Sequence, residues 1–442
     1  MDTNAVENGT ALPAYAQGAG LILLIFILFY SLAKCKEPSS RFLLIVIWSR
    51  FVLSAFHNVT FVKILPGLSI NSLSSVIVVA VGLIMIKRSS IYNLSTFFMA
   101  PYLLFLIASA TINGQILSSL DDVIKILYLI IIISHLYEIT IREDYVKFSN
   151  YVIYSFSPLI IYQALSVILG IRKASEADGS VSYIGGYNHE AAFSVGILGM
   201  IVAVALGQGI NPLKRIGVLF LGIVGITIAN YRTTILASSP LILYVVGSAV
   251  LSVLPMRLRG LLLVSGGISA LFLMFTIISN SERLADIPAA IELVQSGISS
   301  PATITTMQKK LLSGRLYLWS EYIYQWKISS SIHQLFGFGP GSWSKQFAIY
   351  AHNTFVNALY EGGIFGLISL LGFFILSFFL ALRASYKNRV RLLLAQLSFF
   401  ILNLATMPMW QVEGLIAFAF IIGWTVAHNT ADRSPHIDKH CY

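Results

Sequence analysis

The feature that most constrains this chain is the recurrence of apolar runs at the length a bilayer demands, about 20 residues per crossing. Lipid offers the backbone no hydrogen bonds, so such runs must be helices that satisfy their own N–H and C=O groups. Approximate spans fall at 18–34, 42–62, 69–86, 93–111, 122–138, 150–171, 190–207, 216–231, 233–254, 260–279, 353–382, 391–408 and 413–428. That is thirteen, or twelve if the N-terminal run or the 391–428 pair is read differently. Only 11% of the 442 residues are charged and 57% are hydrophobic, whereas a soluble domain carries about 25% charged residues. So few charges cannot cover a water-soluble surface of this size. The expected fold is all-α: a polytopic transmembrane helix bundle, with residues 1–442 as one membrane domain.

The cations set the expected orientation. One series of alternate loops holds seventeen basic residues, among them Lys34, Lys36, Lys147, Lys214, Arg215 and Arg383. The opposite short loops hold four: Lys63, Arg172, Lys173 and Arg232. The first series is expected in the cytoplasm, with the N-terminus outside and the C-terminus inside. The net charge of +10 follows from that asymmetry and points to anionic membrane lipid, not nucleic acid. Cys35 and Cys441 are far apart and form neither a disulfide framework nor a CxxC metal site. The first 17 residues carry two acids and no basic residue, so no cleavable signal peptide is expected. No matching pair of Gly/Pro-broken spans suggests an inverted-repeat transporter.

Residues 280–352 break the pattern of short loops and are too long for a passive connection. Within them Leu311 to Trp326 (LLSGRLYLWSEYIYQW) is aromatic, apolar and helical in spacing. Such a stretch is expected to lie along the membrane surface or fold over the bundle, which places a site at the outer face.

Three strings belong to that face. IANYRTTILA (227–236) puts Arg232 at the outer end of a span, and SGRLYLWSEY (313–322) puts Arg315 in the long loop. GFGPGSW (337–343), followed by AHNTFVNALYEGGIFG (351–366), puts His352 at the outer mouth of a span. Glu361 then falls about two and a half turns into it. Each residue alone has a plain structural reading. Arg232 snorkels to headgroups, Arg315 is a loop cation on lipid phosphate, His352 caps a helix, and the GFGPGSW glycines make a tight turn. Glu361 either orients a catalytic neighbour or packs in a polar cluster. Arg50, near the middle of a span, calls for a partner or a wet cavity, with His57 the candidate. Asp121 and Asp122 read as solvated span ends more than as metal ligands.

In their order, "GR…LW … GxGxG … HN…EGG..G", and with YIGGYNHEAAF (183–193) leading into a span, these strings resemble the O-antigen ligase and polymerase superfamily. The resemblance runs from about Tyr183 to Leu371; before residue 180 only the hydropathy is shared. It implies a GT-C-like bundle in the bacterial inner membrane, with residues 280–352 as a periplasmic loop bearing part of the active site. It also implies a catalytic set of two arginines and a histidine, here Arg232, Arg315 and His352. The donor would be a glycan on undecaprenyl diphosphate. The acceptor would be a sugar hydroxyl or the lipid A core, and polysaccharide assembly proteins would be further partners.

The chemistry agrees with that set. Guanidinium is permanently charged and grips phosphate in a bidentate fork, so two of them can hold the diphosphate leaving group. Without an outer DxD pair or a His/Cys cluster, neither metal nor cofactor is expected. Asn353 is expected to cap the helix that follows His352, whose dipole keeps the imidazole neutral and able to accept a proton. Arg172 and Lys173 are candidates for gathering the anionic donor. Asn188, His189, Glu190, Asn353 and Glu361 are candidates for lining the same cavity. The favoured function is repeat-unit polymerase of an O-antigen or exopolysaccharide, because the aromatic loop suits a growing chain. O-antigen ligase is the alternative, and a transporter or flippase of lipid-linked sugars is the reading from another class.

Overall fold

A computed structural model describes residues 11–65, 68–91, 94–141, 145–174, 181–253, 255–260, 289, 301, 304–305 and 308–431. They form an all-α bundle. The principal helices are α1 (Ala14–Lys34), α2 (Pro38–Ala55), α3 (Ile70–Met85), α4 (Leu94–Ile112), α5 (Ile116–Ile141), α6 (Tyr145–Ser155) and α7 (Ser157–Ile168). They continue as α8 (Glu190–Leu206), α9 (Pro212–Ile228), α10 (Arg232–Val253), α11 (Arg315–Lys327), α12 (Thr354–Arg383), α13 (Tyr386–Ala405) and α14 (Val412–Ala431). Two short antiparallel ladders join them. β1 (Lys63–Leu65) pairs with β2 (Leu68–Ser69), and β3 (Lys173–Ala174) with β4 (Val181–Ser182).

Six helices among the described residues are long and apolar enough to cross a bilayer, so this is a membrane protein. Twelve of the thirteen expected spans coincide with helices, two of them split: 42–62 at Phe56, and 150–171 into α6 and α7 at Phe156. Beyond Gly260 the thirteenth, 260–279, lies outside the described residues, as does most of the long loop before residue 308.

At the centre stand α8 and α14. The membrane-length part of α14 is 89% buried, against 28% for α1. Helices that are apolar on every side belong in such a core. With no hydrophobic drive inside lipid, packing depends on close backbone approach at small residues. Gly199 faces Ala417 and Gly423 faces Leu136 accordingly. Pro240 inside α10 leaves the Leu236 carbonyl without its helical donor. The Ser239 hydroxyl donates to that carbonyl at 3.0 Å.

Arg50 has a different partner from the one its sequence neighbourhood suggests. Its guanidinium forms a two-pronged pair with Glu413 of α14, Nε to Oε1 at 3.0 Å and Nη2 to Oε2 at 3.1 Å. Ser54 Oγ donates to the same carboxylate at 2.6 Å, and Nη1 donates to Asn71 Oδ1. His57 instead meets the Gly186 carbonyl through Nδ1. A buried guanidinium needs a counter-charge, and among the described residues α14 presents it, 363 residues along the chain.

Candidate functional site

The mouth is built on a break in α12. Gly363 has φ 67° and ψ −165°, so the helix is interrupted just after Glu361. The Tyr360 and Glu361 carbonyls then lose their helical donors and take new ones from the GFGPG segment. Phe338 N–H donates to Tyr360 O at 2.9 Å and Gly339 N–H to Glu361 O at 3.0 Å. Ser109 Oγ donates to Glu361 O at 2.7 Å. A Cβ on Gly363 would collide with the Leu335 backbone, and one on Gly337 with the Glu361 backbone. The EGG and GFGPG strings are thus two halves of one backbone joint.

Glu361 fastens that joint. Its buried carboxylate accepts from Gly341 N–H through Oε1 and from Asn357 Nδ2 through Oε2, both at 2.8 Å. Of the two readings of Glu361, the polar cluster describes its contacts. Asn353 is the expected cap: Oδ1 accepts from Phe355 N–H at 2.9 Å and Val356 N–H at 3.1 Å. Its Nδ2 donates to Leu404 O at 3.0 Å, tying the start of α12 to the end of α13. Both side chains are therefore spent on holding the frame of the mouth.

His352 sits between these fasteners. Its φ of 51° is left-handed, a conformation that few non-glycine residues adopt and that active sites often hold. The aromatic helix α11 packs against α12 and sets this segment. Trp319 Nε1 donates to Ala351 O at 2.8 Å, Tyr322 Oη donates to Ile349 O at 3.0 Å, and the Tyr322 ring stacks on Phe347 at 3.8 Å. Tyr350 lies against the imidazole at 4.0 Å between centroids. Among the described residues neither ring nitrogen of His352 has a hydrogen-bond partner.

Arg315 acts on His352 through its charge. It is the first residue of α11, after a left-handed Gly314, and pairs with no described carboxylate. The imidazole of His352 is held down at a pKa of about 4, first by burial, then by the charge of Arg315 and then by that of His189. It is therefore neutral near pH 7 and able to accept a proton.

His189 caps α8, its Nδ1 accepting from Ala191 N–H at 3.1 Å. Lys173 Nζ joins Glu190 Oε2 at 3.1 Å and the Asn188 carbonyl at 3.3 Å. Arg315 and Glu190 both act on the Tyr231 phenol. That brings the residue before Arg232 to the mouth. Arg232 itself is exposed at the start of α10, with no described contact to Arg315 or His352. Arg172 is also exposed, beside β3. Asp121 pairs with Lys125 at 2.6 Å. No three His, Cys, Asp or Glu side chains come together among the described residues.

Sequence reasoning missed Trp410. It stands in a 3-10 turn (Pro408–Trp410) between α13 and α14, with ring centroids 6.1 Å from Tyr350 and 6.2 Å from Trp343. An isolated tryptophan between two apolar runs carries no signal of this partnership. Half-buried Trp343, Tyr350 and Trp410 make an aromatic wall beside His352. No protein-family model matches the chain, and no curated protein matches it.

Proposed function

We propose that this membrane protein is a GT-C-like glycosyltransferase of the bacterial inner membrane, its mouth facing the periplasm. It transfers a glycan from undecaprenyl diphosphate to a hydroxyl of an acceptor sugar, as a repeat-unit polymerase. The observation that carries the reading is a neutral His352 on which the charge of Arg315 acts, neither of them with a hydrogen-bond or ion-pair partner among the described residues, beside an aromatic wall.

In the step, the acceptor oxygen forms a bond to the anomeric carbon while the bond from that carbon to the diphosphate oxygen breaks. The acceptor proton goes to the His352 imidazole, and undecaprenyl diphosphate leaves with the electron pair. Arg315, joined by Arg232, stabilises the negative charge of the leaving group. Bound diphosphate also offsets the charge of Arg315, so the imidazole becomes more basic once the donor is seated. The aromatic wall offers faces on which sugar rings stack.

The test is direct. The purified chain in lipid nanodiscs is given a single repeat unit on undecaprenyl diphosphate, and the products are resolved by mass. Lipid-linked glycans of two and more repeats are expected. An intact donor after incubation with folded protein overturns the reading. Transfer only when lipid A core is added replaces polymerase by ligase.

A further inference from the structure

The opposite end of the bundle holds a pocket that the mouth chemistry does not use. α8 starts at the mouth with Glu190 and ends at Leu206, about 25 Å away. Tyr145 Oη donates to Leu206 O at 3.0 Å, which fixes the start of α6 at this far end. Here a cavity of about 540 Å³ is lined by Tyr30, Lys147, Asn150, Tyr151, Tyr154 and Lys214.

Its construction favours an anion. Lys147 is the third residue of α6 and Lys214 the third of α9. Both cations thus sit in the first turn of a helix, where the helix dipole is itself positive and disfavours them. Neither lysine pairs with a carboxylate among the described residues. Lys214 is half-buried, held over the Tyr154 ring at 4.6 Å and donating to Asn150 O at 2.7 Å. Two positive helix ends and two ammonium groups therefore converge on one cavity with no negative charge described to balance them.

Its walls favour an interfacial ligand. Tyr30 meets Tyr151 and Tyr154 in T-shaped contacts at 5.9 and 6.0 Å between centroids, and Tyr151 and Tyr154 lie tilted at 6.1 Å. Tyrosine clusters of this kind mark the headgroup level of a bilayer. Tyr30 is 50% exposed, on the outward-facing α1, so the cavity opens toward the zone where lipid headgroups lie.

The geometry points to a binding site for the phosphate of an anionic phospholipid, gripped by Lys147 and Lys214 and walled by the three tyrosines. The site is independent of the reading of the mouth. It neutralises the two helix-start cations and holds α1 against α6 and α9.

Native mass spectrometry of the full chain in a neutral detergent tests it, with phosphatidylglycerol and phosphatidylcholine supplied in separate titrations. One retained phosphatidylglycerol is expected, with phosphatidylcholine lost under the same activation. Lys147→Ala with Lys214→Ala should weaken retention on the order of 25-fold, about fivefold per lysine. Lys147→Arg with Lys214→Arg should keep it, which separates lost charge from a misfolded chain. Equal retention of both lipids, or wild-type retention in the double alanine variant, overturns the site. Displacement of the lipid by millimolar inorganic phosphate overturns the lipid assignment in favour of a soluble phosphate.

Discussion

Arg50 and Arg315 are both arginines in a membrane protein, and their surroundings are opposite. Around Arg50 the polar groups close on one another: Glu413 takes two prongs, Ser54 completes the carboxylate and Asn71 takes the remaining nitrogen. Around Arg315 and His352 the fasteners Glu361, Asn353 and Trp319 are fully engaged, while the two groups they surround have no described partner. A closed polar cluster specifies how helices meet, here α2 against α14. An open one leaves polar groups without a partner among the described residues. The difference separates structure from function more sharply than the presence of a charge in an apolar sequence does.

The largest effect is expected where the closed cluster is broken. Arg50→Ala leaves Glu413 buried at 2% exposure without its counter-charge, a loss of about 3–5 kcal/mol. The thermal midpoint in detergent should fall steeply. Arg50→Met with Glu413→Leu should recover most of it, because an apolar pair of similar volume replaces a buried ion pair with little penalty. If the double variant folds but transfers no glycan, the Arg50 cluster takes part in function and the contrast fails.

How much of this was legible follows the range of each signal. Helices were legible because every span must satisfy its own backbone, and that leaves a continuous apolar run. Arg315 and His352 stood out as candidates because GR and HN stand in a distinctive order. Glu413 was not legible as the partner of Arg50: a contact across 363 residues leaves no mark near either. The joint between GFGPG and EGG was only half visible. Its glycines announce tight turns, but nothing in either string says that the two backbones touch. Trp410 was invisible for the same reason, being placed by the meeting of α13 and α14. Arg232 is exposed at the start of α10 with no described contact to Arg315 or His352, so its role rests on the resemblance.

Next in size are changes at the open cluster, which should leave stability almost untouched. His352→Asn keeps a residue that tolerates the left-handed φ of 51°, so the frame persists while the base is gone. The chemical step should fall by about 10²–10⁴ with donor binding nearly unchanged. Arg315→Lys keeps the charge but loses the planar fork. Turnover should fall roughly 10²–10³, the cost of one lost contact to a developing anion. Single-turnover transfer and donor binding, measured side by side, check both. Wild-type transfer by His352→Asn would rule His352 out as the base.

The smallest effect is a displacement of a pH profile, and it tests whether the two groups form one unit. His352 acts as a base only when neutral, so rate is lost as pH falls through its pKa. In the free protein that value is about 4, which sets the acid limb of kcat/KM. The acid limb of kcat, which reports the donor-bound state, should lie higher, because the diphosphate offsets the charge of Arg315. Arg315→Gln removes the largest charge acting on the ring, so its kcat/KM limb should rise toward the ordinary histidine value of about 6.5. Arg315→Lys preserves the charge and should leave the limb in place, although its rate is low. His189→Asn keeps a side chain able to cap α8 and removes the lesser charge, so it should raise the limb less than Arg315→Gln does. An unmoved limb in Arg315→Gln would mean that arginine and histidine serve different ligands. The mouth would then contain two sites where the geometry describes one.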